Sequence, residues 1–147
     1  MDTRDIIQKK ISRKKAKEII EKMENLKFIS FEEDDSELLK NVKENISSLV
    51  KKTSTPEYTL TVDSENQVKW LVKIVEEHFY NNELLILAPN VDMSIWINVE
   101  VENFNLALNE LWDLYVPDDF YIVDGKERML LAIFEEEFQY EALISRI

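Results

Sequence analysis

Ile95-Trp96-Ile97-Asn98-Val99-Glu100-Val101 alternates apolar and mostly polar side chains, the period of two that belongs to a strand with one buried face. Directly after it the period changes. Phe104, Leu108, Leu111, Trp112 and Tyr115 recur at threes and fours, as the stripe of an amphipathic helix does. Pro117-Asp118-Asp119 ends that pattern, because proline brings no amide hydrogen to a helix. Phe120–Val123 and Arg128–Phe134 are two further strand-like runs, and Asp124-Gly125-Lys126-Glu127 joins them as an antiparallel hairpin. A strand, a helix and a hairpin in succession predict an α+β fold with a mainly antiparallel sheet.

Working upstream, Leu84–Ala88 is continuously apolar, which predicts a central strand covered on both faces. The short Asn90-Val91-Asp92 connection makes it an antiparallel neighbour of Ile95–Val101. Tyr58–Val62 reads as a strand by its threonine and β-branched content. Asp63 or Ser64 caps a helix toward Tyr80, with Val68, Leu71, Val72, Val75 and Phe79 in register. Thr53-Ser54-Thr55-Pro56 is the clearest linker, and what precedes it is helical. One helix spans Ser36–Lys52, its acidic approach Glu32–Asp35 suiting the positive end of the helix dipole. Another begins at a cap on Asp2 or Thr3 and puts Ile6, Ile7, Ile11, Ala16, Ile19, Ile20 and Met23 on one side. The gap after Ile11 allows either one long helix or two short ones with Ser12 as a second cap. Phe28–Phe31 reads as a short apolar connection. Beyond Phe134, the positions of Phe138, Tyr140, Leu143, Ile144 and Ile147 fit either an edge strand or a terminal helix. The expectation is one α+β domain over residues 1–147: a helical part (1–52), then a part (57–147) with a sheet of four or five strands and helices packed on it.

Charge divides the chain. Residues 1–27 hold nine Lys/Arg against five Asp/Glu, whereas residues 74–147 hold three against 16, within a net charge of −12. A field of that sign repels nucleic acid and draws basic partners, and it also serves solubility. The run Arg13-Lys14-Lys15 has two readings, a nucleic-acid patch or the solvated face of an amphipathic helix, and the acidic remainder favours the second. Apolar runs such as Leu84–Pro89 are far shorter than the roughly 20 residues of a membrane helix. Met1–Asp5 has no apolar stretch, so no signal peptide is expected, and the lack of cysteine fits a reducing cytoplasm.

The residues of common chemistries are missing. With Gly125 the only glycine, no loop can bring several backbone amides against a phosphate, as nucleotide-binding turns do. One histidine, His78, and no cysteine leave no multi-histidine or thiolate metal site. No tight turn presents a nucleophile to His78, which reads as a surface histidine. Paired carboxylates for hydrolysis would need contrasting environments, which abundance alone does not supply. The expectation is a protein without catalysis, cofactor or metal. Trp96, Trp112 and Tyr115 either fill the core or anchor a protein interface, where such residues are enriched.

Four segments carry a family likeness: Asp92–Asn98, Asn109-Glu110-Leu111-Trp112, Asp119–Gly125 and Leu130–Glu135. Together they resemble the small acidic immunity proteins of Gram-positive toxin systems, closest to the YxxD-type antitoxins that accompany LXG-domain toxins. The likeness covers the C-terminal half and is weaker over the helical N-terminal third. It implies a cytoplasmic protein that neutralises a cognate toxin domain, often a basic nuclease, without touching nucleic acid or membrane itself. A toxin-binding face is expected around the C-terminal hairpin, from Trp112, Asp113, Asp118, Asp119, Asp124, Glu135, Glu136 and Glu137. The alternative is a regulatory or scaffold module with no toxin partner, working through the basic N-terminal helix.

Overall fold

The computed structural model describes residues 2–51, 55–115 and 120–147. Their elements run α1 (Thr3–Glu21), β1 (Leu26–Phe31), α2 (Glu37–Lys51), β2 (Tyr58–Thr61), α3 (Gln67–His78), β3 (Glu83–Leu87), β4 (Trp96–Val101), α4 (Phe104–Tyr115), β5 (Phe120–Asp124), β6 (Met129–Glu135) and β7 (Gln139–Arg146). The seven strands form one sheet in the order β1-β4-β3-β5-β6-β7-β2, and every pairing among them is antiparallel.

The two faces of this sheet bury different things. Leu84 and Ile86 on β3, Phe120 and Ile122 on β5, and Leu131 and Ile133 on β6 join a core with α1, α3 and α4. The alternate residues Leu85, Tyr121, Val123, Leu130 and Ala132 join a second core with Leu39 and Val42 of α2. Successive side chains of a strand point to opposite faces, so strands buried on both sides read as unbroken apolar runs. That is why the central strand and the hairpin were readable from composition alone. Among the described residues four helices cover the sheet, α2 on one face and the others on the opposite face.

Seven strands correct the expected four or five, and the two that differ, β1 and β7, were hidden for different reasons. β1 reads from the sequence as a short apolar connection in a helical N-terminal third. It is an edge strand paired with β4, and its register shifts between Phe28 and Ser30, so an irregularity interrupts its alternation. β7 reads equally as strand or helix from the sequence, because Tyr140, Leu143, Ile144 and Ile147 also fit helical spacing. It pairs with β6 over seven residues, Met129–Arg146 through Glu135–Tyr140. Of the linker, Thr53 and Ser54 lie outside the described residues, and Thr55 and Pro56 have no regular structure.

α1 is a single helix, capped by Asp2 accepting from the Asp5 amide at 2.9 Å. Its buried face matches the expected one at Ala16 and Ile20 and departs from it nearer the N-terminus. Ser12, Ala16 and Ile20 are buried, one every four residues, whereas Ile6, Ile7 and Ile11 are 44%, 53% and 56% exposed. Four contacts hold α1 in this orientation, one of them the Arg13–Glu33 ion pair at 3.3 Å. Arg13 lies 5.0 Å over the Phe31 ring, Lys17 lies 5.1 Å over Phe28, and Lys9 pairs with Asp34 at 2.8 Å. Cations above aromatic faces and a charged hydrogen bond turn Ser12, Ala16 and Ile20 inward and leave Ile6, Ile7 and Ile11 outside. Gly125 does not supply the left-handed backbone at the β5–β6 connection; Arg128 does, at φ 55°.

The same side chain at two kinds of position on α1 gives a direct test. Ile20→Ala should cost about 2–5 kcal/mol in urea unfolding, and Ile7→Ala with Ile11→Ala should change stability by less than about 0.5 kcal/mol. The Lys9–Asp34 pair gives a pH test. Its hydrogen bond to Lys9 holds the Asp34 carboxyl below its ordinary value. The stabilisation is therefore complete above the ordinary carboxylate range and is lost as pH falls through the lowered value. Asp34 is half exposed, so less than about 1 kcal/mol should vanish below roughly pH 4. In Lys9→Met most of that increment should be absent, with Lys43 and Arg13 leaving a remnant.

Candidate functional site

Trp112 sets the geometry of the sheet end where the C-terminal strands turn. Its indole N–H donates to Gln67 Oε1 at 2.9 Å, and Gln67 Nε2 donates in turn to the Val62 carbonyl at 2.7 Å. Its ring meets Tyr140 at 5.1 Å and Phe120 at 6.4 Å between centroids, edge to face. Trp70 of α3 meets Tyr140 at 6.5 Å. These aromatic contacts fasten α3 and α4 over β5 and β7. Burial, with Glu135 adding, pushes the Tyr140 hydroxyl above its ordinary value, so that group stays a neutral packing element.

Glu135 is the register partner of Tyr140, so the β6–β7 connection leaves the sheet at this same end. The Glu136 amide donates to the Gln139 carbonyl at 2.8 Å, which leaves Glu137 and Phe138 as a two-residue tip. The Val62 amide donates to the Phe138 carbonyl at 3.2 Å and ties the end of β2 to that tip. Glu135, Glu136 and Glu137 are all exposed, and the Phe138 side chain is 73% exposed beside them. In a continuous strand Phe138 would share a face with Tyr140; the tight connection removes it from that parity. The three preceding glutamates, too charged for a continuing buried strand, are the one sign of a tip there.

Of the predicted face, Trp112 is 5% exposed and forms a floor, and Asp113 beside it is exposed on α4. A groove of about 560 Å³ runs between α4 and the start of α3, with Asn105, Asn109, Trp112 and Asp113 along one side and Glu65, Gln67 and Lys69 along the other. Asp124 lies elsewhere. β6 runs from Met129, the partner of Asp124, to Glu135, so about 20 Å of strand separates Asp124 from the glutamates. Its carboxylate is fully buried and accepts from Asn81 Nδ2 at 2.9 Å and from the amides of Lys126 and Glu127 at 3.0 and 3.1 Å. It closes the β5–β6 turn and presents no carboxylate to the surface. Asp118 and Asp119 lie outside the described residues. Trp96 fills the α2-side core against Tyr121, at 6.2 Å between rings.

Protein-family models, curated proteins and solved structures were compared with this chain, and none matches.

Two other places bear on chemistry. Tyr58 donates its hydroxyl to Glu77 at 2.8 Å and lies 2.8 Å from His78 Nε2. The Glu77 carboxylate accepting that proton, with some burial, raises the tyrosine above its ordinary value, which opposes any role as a base or nucleophile at neutral pH. Among the described residues no three acids and histidines gather in a way that would hold a metal ion. The second place is the outer side of α1. Ile7, Lys10, Ile11 and Lys14 are spaced at threes and fours on the side away from Ala16 and Ile20, all of them exposed.

The assignment of Asp124 to the interior has a measurable consequence. Asp124→Ala strands the Asn81 amide and two turn amides, so about 1–3 kcal/mol of stability should be lost. The urea midpoint should fall at unchanged slope, and Asn81→Ala in the same background should add little.

Proposed function

We propose that this chain is a non-enzymatic binding protein whose acidic surface at the β6–β7 tip docks a basic partner, and that the partner is a cognate, nuclease-like toxin domain neutralised in the cytoplasm. The observation that carries the binding reading is Phe138, 73% exposed and directly preceded by three exposed glutamates. Protein interfaces concentrate their energy in a few aromatic anchors and surround them with polar groups that set orientation and on-rate. An exposed phenylalanine with carboxylates beside it has that composition. The net charge of −12 supports a basic partner by long-range attraction. The toxin identity rests on the resemblance of the C-terminal segments to immunity proteins. Nothing in this reading needs a cofactor or a metal.

A second reading is favoured by one observation, the exposed Ile6, Ile7 and Ile11 beside exposed Lys10 and Lys14 on α1. Such a face suits an adaptor that holds an acidic partner. Removing residues 1–27 would not separate the two readings, because it deletes Ala16, Ile20 and Leu26 from the core. Point variants do. Partners are first captured from the native host on the full-length chain and identified by mass spectrometry. Phe138→Ala should then weaken the major partner about tenfold or more, and replacing Glu135, Glu136 and Glu137 with alanine should slow association most at low salt. Ile7→Ala with Ile11→Ala should leave affinity unchanged. The reverse pattern would transfer function to α1, and a partner that is neither basic nor a toxin would overturn the toxin assignment.

A further inference from the structure

Asn105, Asn109 and Asp113 stand at four-residue intervals on α4 and face one groove. All three are exposed, and no hydrogen bond among the described residues engages either amide side chain. They are also poor choices for their place. Asparagine is among the weaker helix formers, and an exposed helix position that packs against nothing usually carries a stronger one. Local rules broken without local compensation point to a function.

The spacing indicates which. Four helical residues advance about 6.0 Å, close to the roughly 6.6–6.8 Å that two residues of an extended chain advance. A side-chain amide has a donor and an acceptor side by side, so it can pair with the C=O and N–H of one main-chain unit. Two amides at this separation match alternate residues of an extended peptide. The next step along the row is the Asp113 carboxylate, with Glu65 and Lys69 on the opposite wall and the indole of Trp112 in the floor, so the acids of the groove outnumber its one cation by two to one. Trp112 is held still by its bond to Gln67. Carboxylates beside the exposed margin of an indole suit a lysine or arginine side chain.

We infer that the α3–α4 groove binds an extended peptide segment of a partner protein, its main chain read by Asn105 and Asn109 and a basic side chain received at Asp113. This deepens the binding function proposed above and rests on it for the source of the segment. The Phe138 tip lies at the same end of the sheet, so one partner can reach both.

The test needs no toxin. The isotope-labelled full-length chain is titrated with the blocked peptide acetyl-Val-Thr-Arg-Val-Thr-amide and with the same peptide carrying norleucine for arginine. Saturable shifts should centre on the Trp112 indole and the Asn105 and Asn109 side-chain amides, with the arginine peptide the tighter. Asn105→Ala with Asn109→Ala should weaken both peptides about tenfold and at the same time raise the unfolding midpoint, since alanine is the better helix former. A merely structural role for these asparagines would lower that midpoint. Asp113→Asn should abolish the preference for arginine and leave the norleucine peptide unaffected. Equal affinity in the double variant overturns the proposal, and so do shifts spread evenly over the acidic surface that vanish in high salt. A groove that fails while Phe138→Ala still weakens the captured partner leaves the acidic-face reading standing. A groove that succeeds without a toxin partner shows the toxin assignment to be the part that fails.

Discussion

Tyr121, Ile122 and Val123 are neighbours in the chain and lie in different cores, and the fold depends on that alternation. Two apolar layers meet through β3, β5 and β6, so each of these strands must keep its register to within a single residue. A slip by one would exchange the α2-side set with the set that faces α1, α3 and α4. The two sets differ in bulk: Ile122, Leu131 and Phe120 on one side, Ala132, Val123 and Tyr121 on the other. Close packing tolerates such exchanges badly, so register and helix placement specify each other.

The excess of carboxylates does two kinds of work. Asp124 is wholly interior and organises a turn, Glu110 accepts from the Glu24 amide and Asn25, and Glu33 and Asp34 fasten α1. Glu135, Glu136, Glu137 and Asp113 make no comparable contacts among the described residues and face water. Formal charge therefore overstates the field available to a partner and says nothing of where it is concentrated. The topology decides that, by bringing the end of α4 and the β6–β7 tip to one end of the sheet through the Trp112 and Tyr140 rings.

The legible parts of the fold were those where one pattern had one meaning. α4 matched its expected span, Phe104–Tyr115, because its apolar spacing is clean, and the β5–β6 hairpin followed from two apolar runs around a turn. β1 and β7 were obscured for opposite reasons: an irregularity spoils the alternation of the first, and the second satisfies both periods at once. On α1 the sequence reads Ala16 and Ile20 inward, as they are, but it does not show that Ile6, Ile7 and Ile11 stay outside. The contacts of Arg13 and Lys17 with Phe31 and Phe28 that set the face join elements distant in sequence. At the candidate site the acids around Glu135–Glu137 could be picked out as a charged run. Asp124 could not be separated from them, since burial of a single carboxylate leaves no trace in one sequence. The groove was invisible because its walls, near Glu65 and Asn109, meet only in the folded chain.

The outer strands of the sheet limit how this protein can meet another. β2 offers four residues, and β1 is interrupted between Phe28 and Ser30. A visiting strand needs a long, regular row of free amides and carbonyls, and neither border provides one. Recruitment by strand addition, which reads backbone and accepts many sequences, is thus disfavoured at both borders. What remains for recognition is side-chain chemistry on helices and connections. Surfaces of that kind can change residue by residue without disturbing the ladder beneath them, so new partners can be acquired at little cost to the architecture.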